Sequence, residues 1–182
     1  MNLNNIQFKD KLGREVIFRS AEESDAAALI DYLKITTSET PYLIREPEEV
    51  TLTIEQEKSF IKRVKDAEKE LLLIALIDGK HIGNCSLMSI GPYKRYAHRC
   101  AIAIALYPEY CGFGIGKIMM QIILDEAKKL GYEQAELEVI SDNKCAIALY
   151  ENLGFRKYGS FPNNMRYSDG TYADADWMMK TL

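Results

Sequence analysis

Histidine and cysteine are scarce in this sequence, which limits the metal and redox chemistry that it can carry. The 182 residues contain two histidines and four cysteines. No two cysteines form a Cys-x-x-Cys pair, the spacing that zinc sites and redox dithiols commonly use. We therefore expect no metal site, and we expect the cysteines to be reduced thiols, their usual state in the cytoplasm.

Long hydrophobic runs and an excess of positive charge are missing as well. The longest apolar run, Cys100 to Tyr107, is far shorter than the roughly 20 residues that a membrane-spanning helix needs. The first residues have no apolar core of the kind that marks a signal peptide. Lys and Arg number 23 against 27 Asp and Glu, a net charge of −4, whereas nucleic-acid binders usually carry a basic face. We expect a cytoplasmic protein that binds neither membranes nor nucleic acids.

The length and composition are those of an ordinary folded domain. A chain of 182 residues is expected to form one domain, residues 1–182, because domains commonly hold roughly 100–200 residues. Hydrophobic residues make up 47% of the chain and charged residues 27%, close to the average of globular proteins. Such a chain can bury enough surface to fold without disulfides or metals.

Apolar residues recur with two different periods, which predicts strands that alternate with helices. Helices are predicted behind the first strand, from a capping box that begins at Thr53, from about Gly114 and from Asn143. Asp78-Gly79 lies between two apolar runs and predicts a tight hairpin. Seven strands are predicted: Glu15–Arg19, Leu71–Ile77, Lys80–Ile90, Ala97–Tyr107, Ala135–Ile140, Phe155–Tyr158 and Tyr172–Met179. We expect a mixed sheet covered by helices.

The junction from Leu106 to Lys117 has the features of an anion site. An apolar strand runs into a loop with glycines at positions 112, 114 and 116, and a helix begins there. The free amides and the dipole of a first helical turn attract phosphate, and glycine lets the backbone approach it closely. The alternative is a sharp turn without a ligand. The spacings G-x-G-x-x-G and G-x-x-x-x-G-K-[ST] are absent, which disfavours a nucleotide-hydrolysing site.

A second motif follows in the predicted helix that begins at Asn143. The pattern N-x-x-A-x-x-L-Y-x-x-x-G-F is matched by Asn143, Ala146, Leu149, Tyr150, Gly154 and Phe155. Together with the glycine loop, this motif resembles the GNAT superfamily of acyl-CoA-dependent N-acyltransferases, whose pyrophosphate loop reads Arg/Gln-x-x-Gly-x-Gly/Ala. Gly114 and Gly116 match that loop, but Cys111 stands at its Arg/Gln position. Cys111 is either a reactive thiol beside a helix N-terminus or a small, inert residue.

The resemblance implies a fold and a cofactor site. The fold would be α/β, with a mixed, mostly antiparallel sheet of about seven strands, two splayed parallel strands at its centre and helices on both faces. Acetyl-CoA would lie between the splayed strands, Ala97–Tyr107 and Ala135–Ile140. The implied cofactor-binding residues are Leu106, Cys111, Gly112, Phe113, Gly114, Ile115, Gly116, Lys117 and Asn143. Because backbone amides would bind the pyrophosphate, Cys111 is expected to weaken this binding without abolishing it.

The resemblance also implies catalytic residues. Tyr150 occupies the family's general-acid position, where a phenol can donate a proton to the departing thiolate. The alternative is an aromatic residue of the core. His98 is a candidate base, because an imidazole accepts protons near neutral pH, but it could equally be structural. Glu136 and Glu138 share one face of the neighbouring strand and could accept a proton through water, and bulk water could also serve.

These implications define the expected function. We expect an enzyme that transfers an acetyl group from acetyl-CoA to a primary amine of a small molecule, an amino-acid derivative or a protein N-terminus. The segments Thr37–Leu52 and Phe161–Tyr172 are expected to form the acceptor pocket. The alternative function is a non-catalytic sensor that binds acyl-CoA without turnover, and Cys111 keeps it open. A homodimer also stays open.

Overall fold

A computed structural model describes residues 3–182 and places eight strands in one mixed sheet. The strands are β1 (Ile6–Lys9), β2 (Glu15–Ser20), β3 (Leu71–Ile77), β4 (Lys80–Ser89), β5 (Arg99–Leu106), β6 (Gln134–Ile140), β7 (Arg156–Arg166) and β8 (Tyr172–Thr181). The helices are α1 (Ala26–Glu39), α2 (Ile54–Asp66), α3 (Ile115–Lys129) and α4 (Lys144–Asn152). The order across the sheet is β1-β2-β3-β4-β5-β6-β8-β7.

The central pair β5–β6 is joined over only a short stretch. The other neighbouring strands are antiparallel, whereas β5 and β6 are parallel. They pair at three positions and end at Ala101–Glu136, although β5 continues to Leu106 and β6 to Ile140. Beyond this point the facing backbone edges of the two strands border a gap. The predicted mixed sheet with two splayed parallel strands at its centre is confirmed.

The helices cover the two faces of the sheet unequally. Helix α3 fills the core on one face, where it buries Met119 and Ile123 against the strands. Helices α1 and α2 pack on the other face against β3, through Leu29 and Ile61 among others. On that second face, Ala101 and Ala103 of β5 and Trp177 of β8, farther across the sheet, are exposed. The sheet therefore has an open half-face beside the gap.

The structure has one strand more than the sequence predicts, and β7 is longer. The additional strand, β1, has only four half-buried and exposed residues in alternation, too short a pattern to stand out in the sequence. Strand β7 continues past Tyr158 to Arg166, and its register with β8 shifts between Phe161 and Met165. Pro162 lies within this irregular stretch at the sheet edge, where proline is tolerated because no ladder hydrogen bond is lost.

Three local predictions are confirmed. Thr53 caps α2: its hydroxyl accepts a hydrogen bond from the backbone of Gln56, whose side chain accepts one from the backbone of Thr53. Asp78 and Gly79 both have positive φ, 50° and 76°, as the tight turn between β3 and β4 requires. Asn143 is the N-terminal cap of α4.

Candidate active site

The loop between β5 and α3 forms a backbone cradle. Gly114 precedes the first residue of α3 and has φ +92°, and Gly112 has φ +84°, a region that other residues rarely adopt. A Cβ atom on Gly116 would lie only 3.2 Å from Cδ1 of Leu106. The first amides of α3 have no acceptor within the helix and carry its positive dipole end. The three glycines thus lie in one loop at the N-terminus of α3, where the sequence predicts an anion site.

The gap between β5 and β6 leads up to this cradle. The part of β5 after Ala101 has no strand partner on its β6 side, and it ends at Leu106, directly before the loop. Unpaired strand edges bind extended ligands through main-chain hydrogen bonds, as an added strand would. A ligand with a long flexible arm and a phosphate at one end fits this combination, with the arm along the strand edge and the phosphate at the cradle.

Tyr150 lies on α4, the helix that follows β6. Its side chain is buried and packs against Phe155, with the ring centroids 6.0 Å apart. Burial raises the pKa of Tyr150, and the nearby thiol of Cys85 raises it further. Cys85 itself pairs with Ile104, in the part of β5 that has separated from β6. Within residues 3–182, no hydrogen bond occupies its hydroxyl group.

Asn143 follows β6 and caps helix α4. Its side-chain oxygen accepts a hydrogen bond of 3.2 Å from the backbone N–H of Ala146, which caps α4. The oxygen is thus engaged, while the NH₂ group can still donate to a ligand. Asn143 follows β6 as Tyr107 follows β5, so the two predicted motifs do come together at the same end of the splayed strands.

Cys111 lies in the loop, where the residue as a whole is exposed but its sulfur is partly shielded from water. Burial of its sulfur, with a smaller contribution from the Cys145 thiol, raises the pKa of Cys111. Its Sγ atom lies 3.7 Å from the backbone oxygen of Tyr107. A raised pKa favours the protonated thiol, which is a poor nucleophile. The raised pKa therefore favours the interpretation of Cys111 as a small, inert residue.

The structure separates the three candidate bases. His98 is exposed and precedes β5, at the opposite end of that strand from the loop and from Tyr107. Glu136 forms an ion pair with Arg99, whose Nη2 donates to Oε2 at 2.7 Å, and it also accepts from Gln134. The hydrogen bond from Arg99 is the main reason that the pKa of Glu136 is lowered. Neither His98 nor Glu136 is brought to the gap as a free proton acceptor.

Glu138 lies two residues farther along β6, in its splayed part and on the open half-face. Its carboxylate accepts hydrogen bonds from Nδ2 of Asn164 at 2.7 Å and from Nε1 of Trp177 at 2.8 Å. The Trp177 ring stacks near Phe161 at 6.3 Å and Tyr158 at 6.0 Å, and all three rings are partly exposed. No sequence motif marks Asn164 and Trp177, because their contact with Glu138 depends on the register of β6, β8 and β7.

Two loops meet over this open half-face. The hydroxyl of Tyr167, in the turn between β7 and β8, donates to the backbone oxygen of Pro41 at 3.0 Å. Pro41 belongs to the connection between α1 and α2, which contains one short 3₁₀ turn, Pro47–Glu49. The predicted pocket segments Thr37–Leu52 and Phe161–Tyr172 thus contact each other.

Comparison with known proteins places this arrangement in a family. Residues 31–155, more than half of the chain, match the model of the acetyltransferase (GNAT) family. The chain belongs to this family. The whole fold is also similar to the crystal structure of a GNAT acetyltransferase from Streptococcus pneumoniae, with 25% identity, a TM-score of 0.88, and coverage of 92% of this chain and 99% of the other.

Two further relatives of this GNAT protein are informative. A putative acetyltransferase from Salmonella typhimurium, solved with its cofactor acetyl-CoA, has the same fold, with a TM-score of 0.82, 18% identity, and coverage of 92% of this chain and 94% of that one. The ribosomal protein bS18-alanine N-acetyltransferase of Escherichia coli is 39% identical over 67 residues. This match spans 37% of the present chain and 45% of the relative, less than half of either protein.

Acetyl-CoA, the predicted co-substrate, is the cofactor with which the Salmonella structure was solved. Among residues 3–182, no group of three or more His, Cys, Asp and Glu residues is arranged to hold a metal ion. No helix in the described part of the chain is long and apolar enough to cross a membrane.

Proposed function

We propose that this GNAT protein transfers the acetyl group of acetyl-CoA to a primary amine. The observation that supports this most is the gap between β5 and β6, which begins beyond Ala101 and leads to the glycine cradle after Leu106. Tyr150 lies on α4, the helix that follows β6. Bound acetyl-CoA supplies an acetyl group activated as a thioester. The chain itself supplies the binding edges, a proton donor and a proton acceptor.

The backbone holds and polarises the donor. The amides from Gly112 to Lys117 bind the pyrophosphate, and the free edge of β5 up to Leu106 binds the pantetheine arm. A backbone N–H of this edge donates to the thioester oxygen and stabilises the charge that develops there during attack. Asn143 adds its NH₂ group on the β6 side. These groups are fixed in the fold, so little reorganisation is needed during the reaction.

Tyr150 donates the proton, or a strong hydrogen bond, to the departing thiolate. Its raised pKa keeps the phenol protonated throughout the neutral range. A buried phenol whose hydroxyl has no hydrogen-bond partner among residues 3–182 is free to donate to the sulfur in the gap. The competing role, a purely structural aromatic residue, does not require a hydroxyl at this position.

Glu138 accepts the proton of the attacking amine, directly or through one water molecule. It is the candidate base that lies on the open half-face and in the splayed part of β6, and no residue from 3 to 182 forms a salt bridge with it. Two N–H donors fix its position, while a carboxylate has further lone pairs for the amine. In this proposal His98 and Glu136 have no role in proton transfer.

The acceptor enters from the open half-face, under the contact of Tyr167 with Pro41. We propose the N-terminal amine of a protein or peptide as the acceptor class, ahead of a small amine or an amino-acid derivative. Two observations support this choice: the half-face is open rather than a closed pocket, and several relatives are named as N-terminal or ribosomal-protein alanine acetyltransferases. Reduced thiols at all four cysteines agree with a cytoplasmic location.

The decisive experiment measures CoA release from acetyl-CoA with a panel of amines. Peptides with a free N-terminus are each paired with the same peptide already acetylated, and polyamines and free amino acids are tested beside them. Release that depends on a free amine, with the product heavier by one acetyl group, supports the transferase. Tight acetyl-CoA binding without turnover for any amine would instead support the sensor that Cys111 leaves open.

A further inference from the structure

The turn between β1 and β2 is a rigid element that projects toward the glycine cradle. The carboxylate of Asp10 accepts hydrogen bonds from the backbone of Leu12 and of Arg14, both at 2.9 Å, and from Nε of Arg14 at 2.7 Å. Burial alone would raise the pKa of Asp10, but these hydrogen bonds outweigh it and lower the pKa. Asp10 therefore stays charged and fixes the turn that carries Lys11.

This turn is docked on the loop that precedes α3. The backbone N–H of Lys11 donates to the carbonyl of Phe113 at 3.2 Å, and Nζ of Lys11 donates to the carbonyl of Gly112 at 3.0 Å. The guanidinium of Arg14 lies over the rings of Tyr110 and Phe113, 5.2 Å and 4.9 Å from their centroids. The contacts join residues about one hundred positions apart, and they bring a lysine ammonium to a loop whose own Arg/Gln position holds Cys111.

We propose that the ammonium of Lys11 binds a phosphate group of acetyl-CoA at the glycine cradle and supplies the positive charge that Cys111 leaves out. The inference rests on the proposed binding of acetyl-CoA at this cradle. Lys11 is exposed, and its Nζ has three N–H donors, of which Gly112 takes one. The remaining donors face solvent beside the loop. A long-range contact from an edge hairpin thus replaces a side chain that the loop lacks.

The test compares ligands with and without phosphates. Lys11→Met keeps the aliphatic stem and removes the charge, Lys11→Arg keeps a cation, and Lys9→Met is the control, because Lys9 is an exposed lysine of β1. Each variant is titrated by calorimetry with acetyl-CoA and with S-acetylpantetheine, which has no pyrophosphate. We expect Lys11→Met to bind acetyl-CoA roughly three- to tenfold more weakly, with the loss shrinking at high salt. S-acetylpantetheine binding should not change.

The remaining outcomes overturn the proposal. Equal weakening toward both ligands means that Lys11 only shapes the loop. Unchanged binding of acetyl-CoA in Lys11→Met means that the ammonium does not reach the phosphates. A loss of the same size in Lys9→Met or in Lys11→Arg also contradicts a specific charge contact. If the unaltered protein binds no acetyl-CoA at all, the proposed function fails and this inference fails with it. If the unaltered protein binds acetyl-CoA but Lys11→Met binds it equally well, only this inference fails.

Discussion

Trp177 donates its indole N–H to the carboxylate of Glu138 at 2.8 Å, across the pair of strands β6 and β8. Asn164, on β7, donates to the other carboxylate oxygen at 2.7 Å. Three strands therefore fix one carboxylate on the open half-face of the sheet. This arrangement distinguishes Glu138 from Glu136, whose carboxylate is neutralised by Arg99.

The first prediction concerns Glu138. Glu138→Gln keeps the size of the side chain but cannot accept a proton, so kcat/KM for the amine should fall by roughly 10²-fold or more, with acetyl-CoA affinity unchanged. Trp177→Phe keeps an aromatic ring and removes one hydrogen bond, so its loss should be smaller. Steady-state kinetics with a fixed amine measure both effects.

Glu133→Gln, at an exposed position before β6, is the matched control and should behave as wild type. Full activity of Glu138→Gln would leave water as the proton acceptor.

A second prediction concerns the hydroxyl of Tyr150. Tyr150→Phe keeps the buried ring, so stability and acetyl-CoA affinity should change little, while turnover should fall by about 10²–10⁴-fold. Because burial raises the pKa of Tyr150, its deprotonation should not reduce the rate until the pH exceeds the ordinary phenol value of about 10. Turnover is measured from pH 6 to pH 9.5 under conditions in which chemistry is rate-limiting. Equal rates for the variant and the wild type across that range would return Tyr150 to a structural role.

The sequence predicts the half of the site that is built from local motifs. Gly114, Asn143 and Tyr150 belong to contiguous patterns in which spacing along the chain determines position on a loop or a helix. The acceptor side is different. Trp177 meets Glu138 only through the register of β6 with β8, and Asn164 meets Glu138 only through the irregular pairing of β7 with β8. No spacing in the sequence encodes it.

The same reason explains why the role of the first hairpin was not predicted. Lys11 contacts Gly112 only because β1 adds to the edge of the sheet and its turn reaches the loop before α3. Four alternating residues are too weak a signal to predict that strand. The charge missing at Cys111 was visible in the sequence, but its replacement could only be found in three dimensions.

A third prediction separates backbone strain from ligand binding at the cradle. Gly114 and Gly131 both have positive φ, +92° and +79°, and lie just before and just after α3. Gly114→Ala and Gly131→Ala should each lower the free energy of unfolding by about 1–2 kcal/mol, since L-residues disfavour this region. Only Gly114→Ala should also weaken acetyl-CoA binding, because only Gly114 lies in the cradle. Urea unfolding and calorimetric titration give the two quantities. Loss of affinity in both variants would assign the effect to general destabilisation.

A fourth prediction concerns the ion pair between Arg19 and Asp25, which joins the end of β2 to the start of α1. The two guanidinium–carboxylate distances are 2.7 Å and 2.8 Å. Burial alone would raise the pKa of Asp25, but the hydrogen bonds and charge of Arg19 outweigh it and lower the pKa below its ordinary value of 3.8. The pair therefore stabilises the fold fully above that pH, and this contribution is lost as the pH falls through the lowered pKa.

Asp25→Asn should thus reduce the free energy of unfolding at pH 7 by about 1–2 kcal/mol, a range that allows for solvent screening of a half-buried pair. The difference from wild type should shrink as the pH is lowered below 3.8. Asp31→Asn, at an exposed position of α1, provides the control and should change stability little. Chemical unfolding curves at several pH values test the prediction, and a difference that stays constant down to pH 2 contradicts it.

The last prediction concerns the energetic coupling between Lys11 and Cys111 in the binding of the acetyl-CoA phosphates. Cys111→Arg places a guanidinium where the loop of the family carries Arg or Gln, and it should tighten acetyl-CoA binding several-fold in the otherwise unaltered protein. If Lys11 already neutralises the same phosphates, the gain should be larger in the Lys11→Met background, because the added cation then meets uncompensated charge. The four proteins of this double-mutant cycle are titrated at one ionic strength. Equal gains in both backgrounds would show that the two residues act on separate groups, and the idea that Lys11 compensates for Cys111 would be wrong.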